Sequence, residues 1–206
     1  MGRMRVAFFG GTFDPIHRGH LAIAVAAADA LALDQVLFAP AGRQPLKSKP
    51  SIASYDDRLA MVRLALEGSS DARCVASTLD GPRPDGLPNY TVDALEALHA
   101  NDPQAALFAI AGADSFLTLG QWRSPGTLLS LAQWIVVSRP EFPLTEAQLA
   151  PLGLKADQRE RVHLLTTVHE EISATELRIR LGSGDPCAGL LPAEVAAYIQ
   201  RRGLYR

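Results

Sequence analysis

Short apolar runs alternate along this chain with segments of helical period. The runs at residues 5–9, 35–39, 73–77, 106–111, 133–137 and 161–165 are bounded by Gly, Pro or polar residues and mostly lack strict alternation. Such runs suit strands buried on both faces of a parallel sheet. Between them, residues 19–31, 55–66, 91–99 and a region around 115–131 carry the helical spacing, with Leu59, Val62 and Leu66 on one face of the second. Strand and helix in turn predict an α/β doubly wound parallel sheet, in which ligands bind beyond the carboxyl ends of the strands near a topological switch point.

From about residue 172 to 206 the pattern changes to helices, which we read as a small C-terminal helical part of a single 1–206 domain. One helix is expected over 173–181, closed by Gly182. Another is expected over 192–202, closed by Gly203, with Val195, Tyr198 and Ile199 as its apolar face. Residues 80–89, dense in Gly and Pro, and the polar stretch 141–160 read as loops, the latter with room for a short helix.

Length and composition narrow the function. At 206 residues and 48% hydrophobic content the chain can bury one sizeable core. A formal charge of -2, with acids and bases interspersed, offers no basic stripe for nucleic acid, so an anionic partner must be small and held locally. Cys74 and Cys187 lie far apart and outside any Cys-x-x-Cys pair, which fits reduced thiols of a cytoplasmic protein. The basic start is followed only by the short apolar run Val6 to Phe9, too little for a signal-peptide core, and Val6 argues against myristoylation. The stretch from Leu21 to Leu33 is broken by Asp29 and falls short of a bilayer of about 30 Å. No membrane is expected as a partner; a homo-oligomer is allowed.

Two segments carry the candidate chemistry. Gly10, Gly11 and Thr12 end the first strand and Gly19, His20 and Leu21 open the first helix, so the loop between them lies over free helix N–H groups that attract anions. The adjacent glycines let a backbone approach such a ligand, and Asp14-Pro15 makes a turn. His17 and His20, three apart, point to one side and can donate to phosphoryl oxygens. A bare His-x-x-His is more often an ordinary polar turn, and no other histidine or carboxylate supplies zinc-ligand spacing. In the second segment, Ser173 followed by Glu176 is a capping-box pattern. The same helix start, with Ser173, Thr175 and Arg178, is also an anion clamp suited to the outer phosphates of a triphosphate.

The string from Gly11 through Thr12, Phe13, Asp14, Pro15, Ile16, His17, Arg18 and Gly19 to His20 resembles the GTFDPxHxGH signature of the nucleotidyltransferase superfamily. Ile172 to Arg178 resembles its ISxTxIR motif, with Ala174 and Leu177 as variations. Tyr90-Thr91, Ala111 to Ser115, Trp122, Ser138-Arg139-Pro140 and the closing Leu190 to Arg206 narrow the likeness to the bacterial nicotinate-mononucleotide adenylyltransferases.

The resemblance implies transfer of the adenylyl group of ATP to nicotinate mononucleotide, with Mg²⁺ carried by the ATP phosphates and no metal ligand from the protein. It implies His17, His20, Lys47 and Arg178 as catalytic. Gly11, Thr12, Phe13, His17, His20, Gly112, Asp114, Ser173, Thr175 and Arg178 would bind ATP, and Asp14, Lys47, Tyr90, Thr91, Trp122 and Arg139 the acceptor. Asp114 has the alternative of capping the next helix. Where this family often has a Pro-Pro-His-Lys loop, the chain has Gln44-Pro45-Leu46-Lys47, so Lys47 is kept and the imidazole is not. The same transfer to nicotinamide mononucleotide, phosphopantetheine or, from CTP, glycerol 3-phosphate is the nearest alternative, and a non-catalytic nucleotide sensor the next. A Rossmann dehydrogenase fails because Gly10-Gly11 is not continued as Gly-x-Gly-x-x-Gly.

Overall fold

The computed structural model describes residues 2–46, 50–138, 144–166 and 173–206. Among the described residues six strands are present: β1 (Arg5–Gly11), β2 (Gln35–Pro40), β3 (Cys74–Ala76), β4 (Ala106–Gly112), β5 (Gln133–Val137) and β6 (Val162–Leu165). They form one sheet in the order β3-β2-β1-β4-β5-β6, with every pairing parallel. The chain winds outward from β1 to β3, then returns to lay β4 against the other side of β1, in register from Arg5↔Ala106 to Phe8↔Ala109. The carboxyl ends of β1 and β4 therefore flank the switch point, where a doubly wound sheet leaves a crevice.

Apolar residues cover both faces, which is why the strands show little alternation. Ala7, Phe9, Phe108 and Ile110 pack on one side with Phe38 and Met61; Val6, Phe8, Leu107 and Ala109 pack on the other with Leu95, Leu128 and Trp134. The first face is covered by helices α1 (Arg18–Ala30) and α2 (Tyr55–Glu67), the second by α3 (Thr91–Asn101). Leu59 and Val62 are buried and Leu66 lies partly buried against the core, as expected.

The region 115–131 is not one helix. It divides into α4 (Ala113–Phe116), a 3₁₀ turn over Leu119–Gln121 and α5 (Pro125–Leu131). Ser124, at φ 52 before the helix-starting Pro125, interrupts any continuous α-helix. Within 141–160 the described part holds two four-residue helices, α6 (Glu146–Leu149) and α7 (Ala156–Arg159).

At the C-terminus, α8 (Ala174–Gly182) and α9 (Ala193–Arg202) join the core of the first face through Leu177, Leu191, Val195, Ile199 and Tyr205. Gly203 closes α9 at φ 63, as expected. Gly182 does not close α8: the helix runs through it and Ser183 follows as cap. Its lack of a side chain serves a different need, because a Cβ there would stand 3.2 Å from the Tyr205 carbonyl. Among the described residues no helix is long and apolar enough to cross a membrane.

Candidate active site

The turn from β1 into α1 is built from the inside. A Cβ on Gly10 would lie 2.6 Å from the buried Phe8 ring, and one on Gly11 3.0 Å from Phe13, so both glycines make room for the protein's own aromatics. Phe13 sits at φ 48, in the left-handed region that a bulky residue enters only when its surroundings hold it there. Here those surroundings are edge-on contacts with Phe9 and His20, at centroid distances of 5.5 and 5.0 Å. With its ring in the core, Phe13 has only backbone to offer a nucleotide.

His17 is the N-cap of α1, which begins at Arg18, one residue before the start at Gly19 that periodicity suggested. Its backbone N–H donates to Nδ1 of His20 at 3.3 Å, and the two rings lie against each other, tilted by 34°, with centroids 3.8 Å apart. Burial lowers the His17 pKa to about 4. Burial, and secondarily the neighbouring His17, holds His20 well below the usual histidine value. Both rings are thus neutral at physiological pH. Because Nδ1 of His20 accepts, its proton sits on Nε2, which makes that nitrogen a hydrogen-bond donor of fixed orientation.

Asp14 is 3% exposed. Its Oδ1 accepts from the Tyr205 hydroxyl (2.7 Å) and the Ala53 N–H (3.1 Å), and its Oδ2 from the Ile52 N–H (2.8 Å). The carboxylate that the resemblance gives to the acceptor is thus engaged inside the protein.

Arg58 is the main residue that the sequence reading passed over. It is 2% exposed and its guanidinium donates to the carbonyls of Thr12 (2.6 Å) and Ala41 (2.8 Å), tying the loop after β1 to the loop after β2. Its spacing to Met61, Val62 and Ala65 put an arginine on an apolar stripe, and that was the available signal. With Thr12, Arg43, Gln44, Ser54 and Tyr55 it lines a cavity of about 520 Å³. Thr12 Oγ1 donates to Gln44 Oε1 at 3.1 Å. Nearby Asp80 is buried, and its carboxyl is pushed up to about 7 by that burial and by Asp93, against the opposing pull of Arg58.

Gly112 at the end of β4 is exposed, with open space where a Cβ would stand. It is the N-cap of α4. Asp114 therefore is not the cap; it lies exposed in the first turn, free of that structural duty. Tyr90 caps α3 and Thr91 opens it. Trp122 is partly buried, its indole N–H donating to Thr118 Oγ1 at 3.2 Å and its ring edge-on to the core Trp134. The Arg123 guanidinium lies 4.7 Å from the Tyr90 ring centroid, linking the two aromatic candidates.

In the second motif Ser173 caps α8, accepting from the Glu176 N–H at 3.1 Å. The reciprocal half of the capping box is not made, because Glu176 pairs with Arg180 one turn on. Arg178 reaches across to the first motif: Nη1 donates to the Asp14 carbonyl (2.7 Å) and Nη2 to Thr175 Oγ1 (3.0 Å). The structure thus joins the two motifs directly. Lys47 and Arg139 lie outside the described residues. Cys74 and Cys187 are buried free thiols, the former raised to about 11 by burial.

Comparison with known proteins identifies the family of the chain. The cytidylyltransferase-like family model matches residues 8–180. A protein of Roseiflexus sp. named "probable nicotinate-nucleotide adenylyltransferase" is 40% identical over 206 residues, covering the whole of both chains. A protein of the same name from Corynebacterium kroppenstedtii is 38% identical over 201 residues, 98% of this chain and 90% of that one. Among solved structures, the Plasmodium falciparum nicotinic acid mononucleotide adenylyltransferase complexed with NaAD superposes with a TM-score of 0.80 over 98% of each chain. At 17% identity it speaks for the fold. From β1 through α8 and across its full-length relatives, the chain belongs to the cytidylyltransferase-like family and, within it, to the nicotinate-nucleotide adenylyltransferases.

Proposed function

We propose that this protein transfers the adenylyl group of ATP to the phosphate of nicotinate mononucleotide, giving nicotinate adenine dinucleotide and pyrophosphate. The observation that carries the reading is the closely packed, neutral His17 and His20 pair at the sheet's switch point, with His20 Nε2–H as an oriented donor.

The acceptor phosphate is anionic near neutral pH and needs no strong base. It attacks the α-phosphorus in line, the bond to the bridging oxygen breaks, and pyrophosphate leaves with that electron pair. Catalysis is then positioning plus stabilisation of charge on the α-phosphoryl oxygens, which His17 and His20 would supply without first having to lose a proton. Gly11, Thr12 and the Phe13 backbone would line the same path. Ser173, Thr175 and Arg178 would hold the outer phosphates at the start of α8, together with Lys47. Gly112 and Asp114 would meet the adenosine, where an uncapped, exposed carboxylate can accept from ribose hydroxyls. Tyr90, Thr91, Trp122 and Arg139 would form the acceptor end.

Mg²⁺ belongs to the substrate in this reading, entering on the ATP phosphates, as suits an ion that retains waters and uses few protein ligands. Two buried reduced thiols support a cytoplasmic setting.

The test is pyrophosphate release from ATP and Mg²⁺ with nicotinate mononucleotide, its amide and phosphopantetheine as acceptors. Preference for the acid is expected. Comparable rates on acid and amide would overturn the acceptor assignment, and absence of release with every acceptor would overturn the activity.

A further inference from the structure

The loop that carries His17 is held at several points by residues from the other end of the chain. The Arg178 guanidinium donates to the Asp14 carbonyl (2.7 Å), the Tyr205 hydroxyl to Asp14 Oδ1 (2.7 Å), and the Arg18 N–H to the Leu190 carbonyl (3.0 Å). These contacts bracket the segment from Asp14 to Arg18, between the left-handed Phe13 and the start of α1. Tyr205 is itself built in. It is buried, it takes a left-handed φ of 66, and Gly182 of α8 leaves room for its carbonyl. Its phenol ionises only well above its usual range, because of burial and the bond to Asp14, so the hydroxyl remains a donor.

Asp14 passes this grip onward. The oxygen that accepts from Tyr205 also accepts from the Ala53 N–H, and its partner oxygen from the Ile52 N–H, on the segment leading into α2. One carboxylate thus sets the spacing between the histidine loop, the 52–53 segment and the C-terminus.

We propose that Tyr205 is a positioning residue for nucleotidyl transfer: through Asp14 it fixes the loop that presents His17 and His20, and it does so without touching substrate. The inference rests on the adenylyltransferase reading. It predicts a separation in kinetics, because a small displacement of aligned donors lowers the rate of the chemical step by far more than it weakens ground-state binding.

Tyr205→Phe retains the buried ring and removes only the hydroxyl. Its kcat should fall about tenfold, with KM for ATP and for nicotinate mononucleotide within about twofold of wild type. Tyr198→Phe, which removes a comparable hydroxyl bond from α9 to Asp57, is the control and should leave kcat unchanged. Asp14→Asn should also lower kcat rather than raise KM, and adding Tyr205→Phe to it should cost little more, since both act through one contact. In ¹⁵N-histidine spectra the His20 signals should shift in Tyr205→Phe and not in Tyr198→Phe.

An unchanged kcat and unchanged His20 signals in a folded Tyr205→Phe would overturn the inference. So would a rise in the acceptor KM with kcat intact in Asp14→Asn, which also covers the case of a Tyr205 variant that does not fold. An inactive wild-type protein would instead overturn the activity on which the inference stands.

Discussion

The two motif segments are built in opposite ways. In the first, Phe13, Asp14, Ile16 and His17 are all buried, and Asp14, His17 and His20 are bonded or packed within the protein. Among the described residues of the second, Thr175 and Glu176 are exposed, Leu177 alone is buried, and the contacts are made by side chains on a helix surface. The first can act as a preformed template whose donors need no reorganisation when charge develops. The second can close on a polyphosphate by small side-chain movements. Arg178 joins them, so a nucleotide competing for that guanidinium would be felt at the Asp14 carbonyl.

Breaking the buried half should have the larger consequences. His20→Ala removes the oriented donor and should lower kcat of the folded variant by about 10²–10³; full activity would remove His20 from the mechanism. Arg58→Met fills similar space but leaves the Thr12 and Ala41 carbonyls without their donor, and should cost about 3 kcal/mol in urea unfolding. A loss below about 0.5 kcal/mol would show that water replaces the guanidinium at no cost.

The pH dependence sharpens the same contrast. His17 is held neutral in the fold, with a pKa near 4 against 6.5 when exposed. Its contribution is therefore complete above pH 6.5 and declines as the pH falls towards 4, because the unfolded chain then binds the proton more readily. The loss is on the order of 3 kcal/mol, and His20 adds to it in the same direction. Urea titrations at several pH values should show the slope, and His17→Gln should flatten it; equal slopes would contradict the buried, neutral assignment. The smallest effect belongs to the exposed motif: Ser173→Ala removes the α8 cap and should cost about 1 kcal/mol without altering the pH slope.

Much of the scaffold was legible because it depends on local rules. Buried parallel strands announce themselves as short apolar runs, and Gln133–Val137 lies where that pattern put it. Strand β1 extends through Gly10 and Gly11 because its pairing with β2 continues to Gly11↔Pro40, a partner that no local pattern names. The region 115–131 departs from a single helix for a related reason: periodicity reports which positions face the core, not where a left-handed residue interrupts the backbone. Arg58 escaped notice, and Tyr205 counted only as part of the closing family match, because an arginine on an apolar stripe and a penultimate tyrosine acquire their roles only from groups distant in the chain, 46 residues for Thr12 and 191 for Asp14.

The sequence by itself determined the alternation of strands and helices, the two motifs at strand and helix ends, and the family they identify, since all of these are carried by spacing within a few residues of one another. Only the tertiary structure decided what state the motif residues are in. The neutral histidine pair, its tautomer and the internal engagement of Asp14 follow from burial and from hydrogen bonds that cross the whole chain, and neither desolvation nor a long-range donor is written in local order.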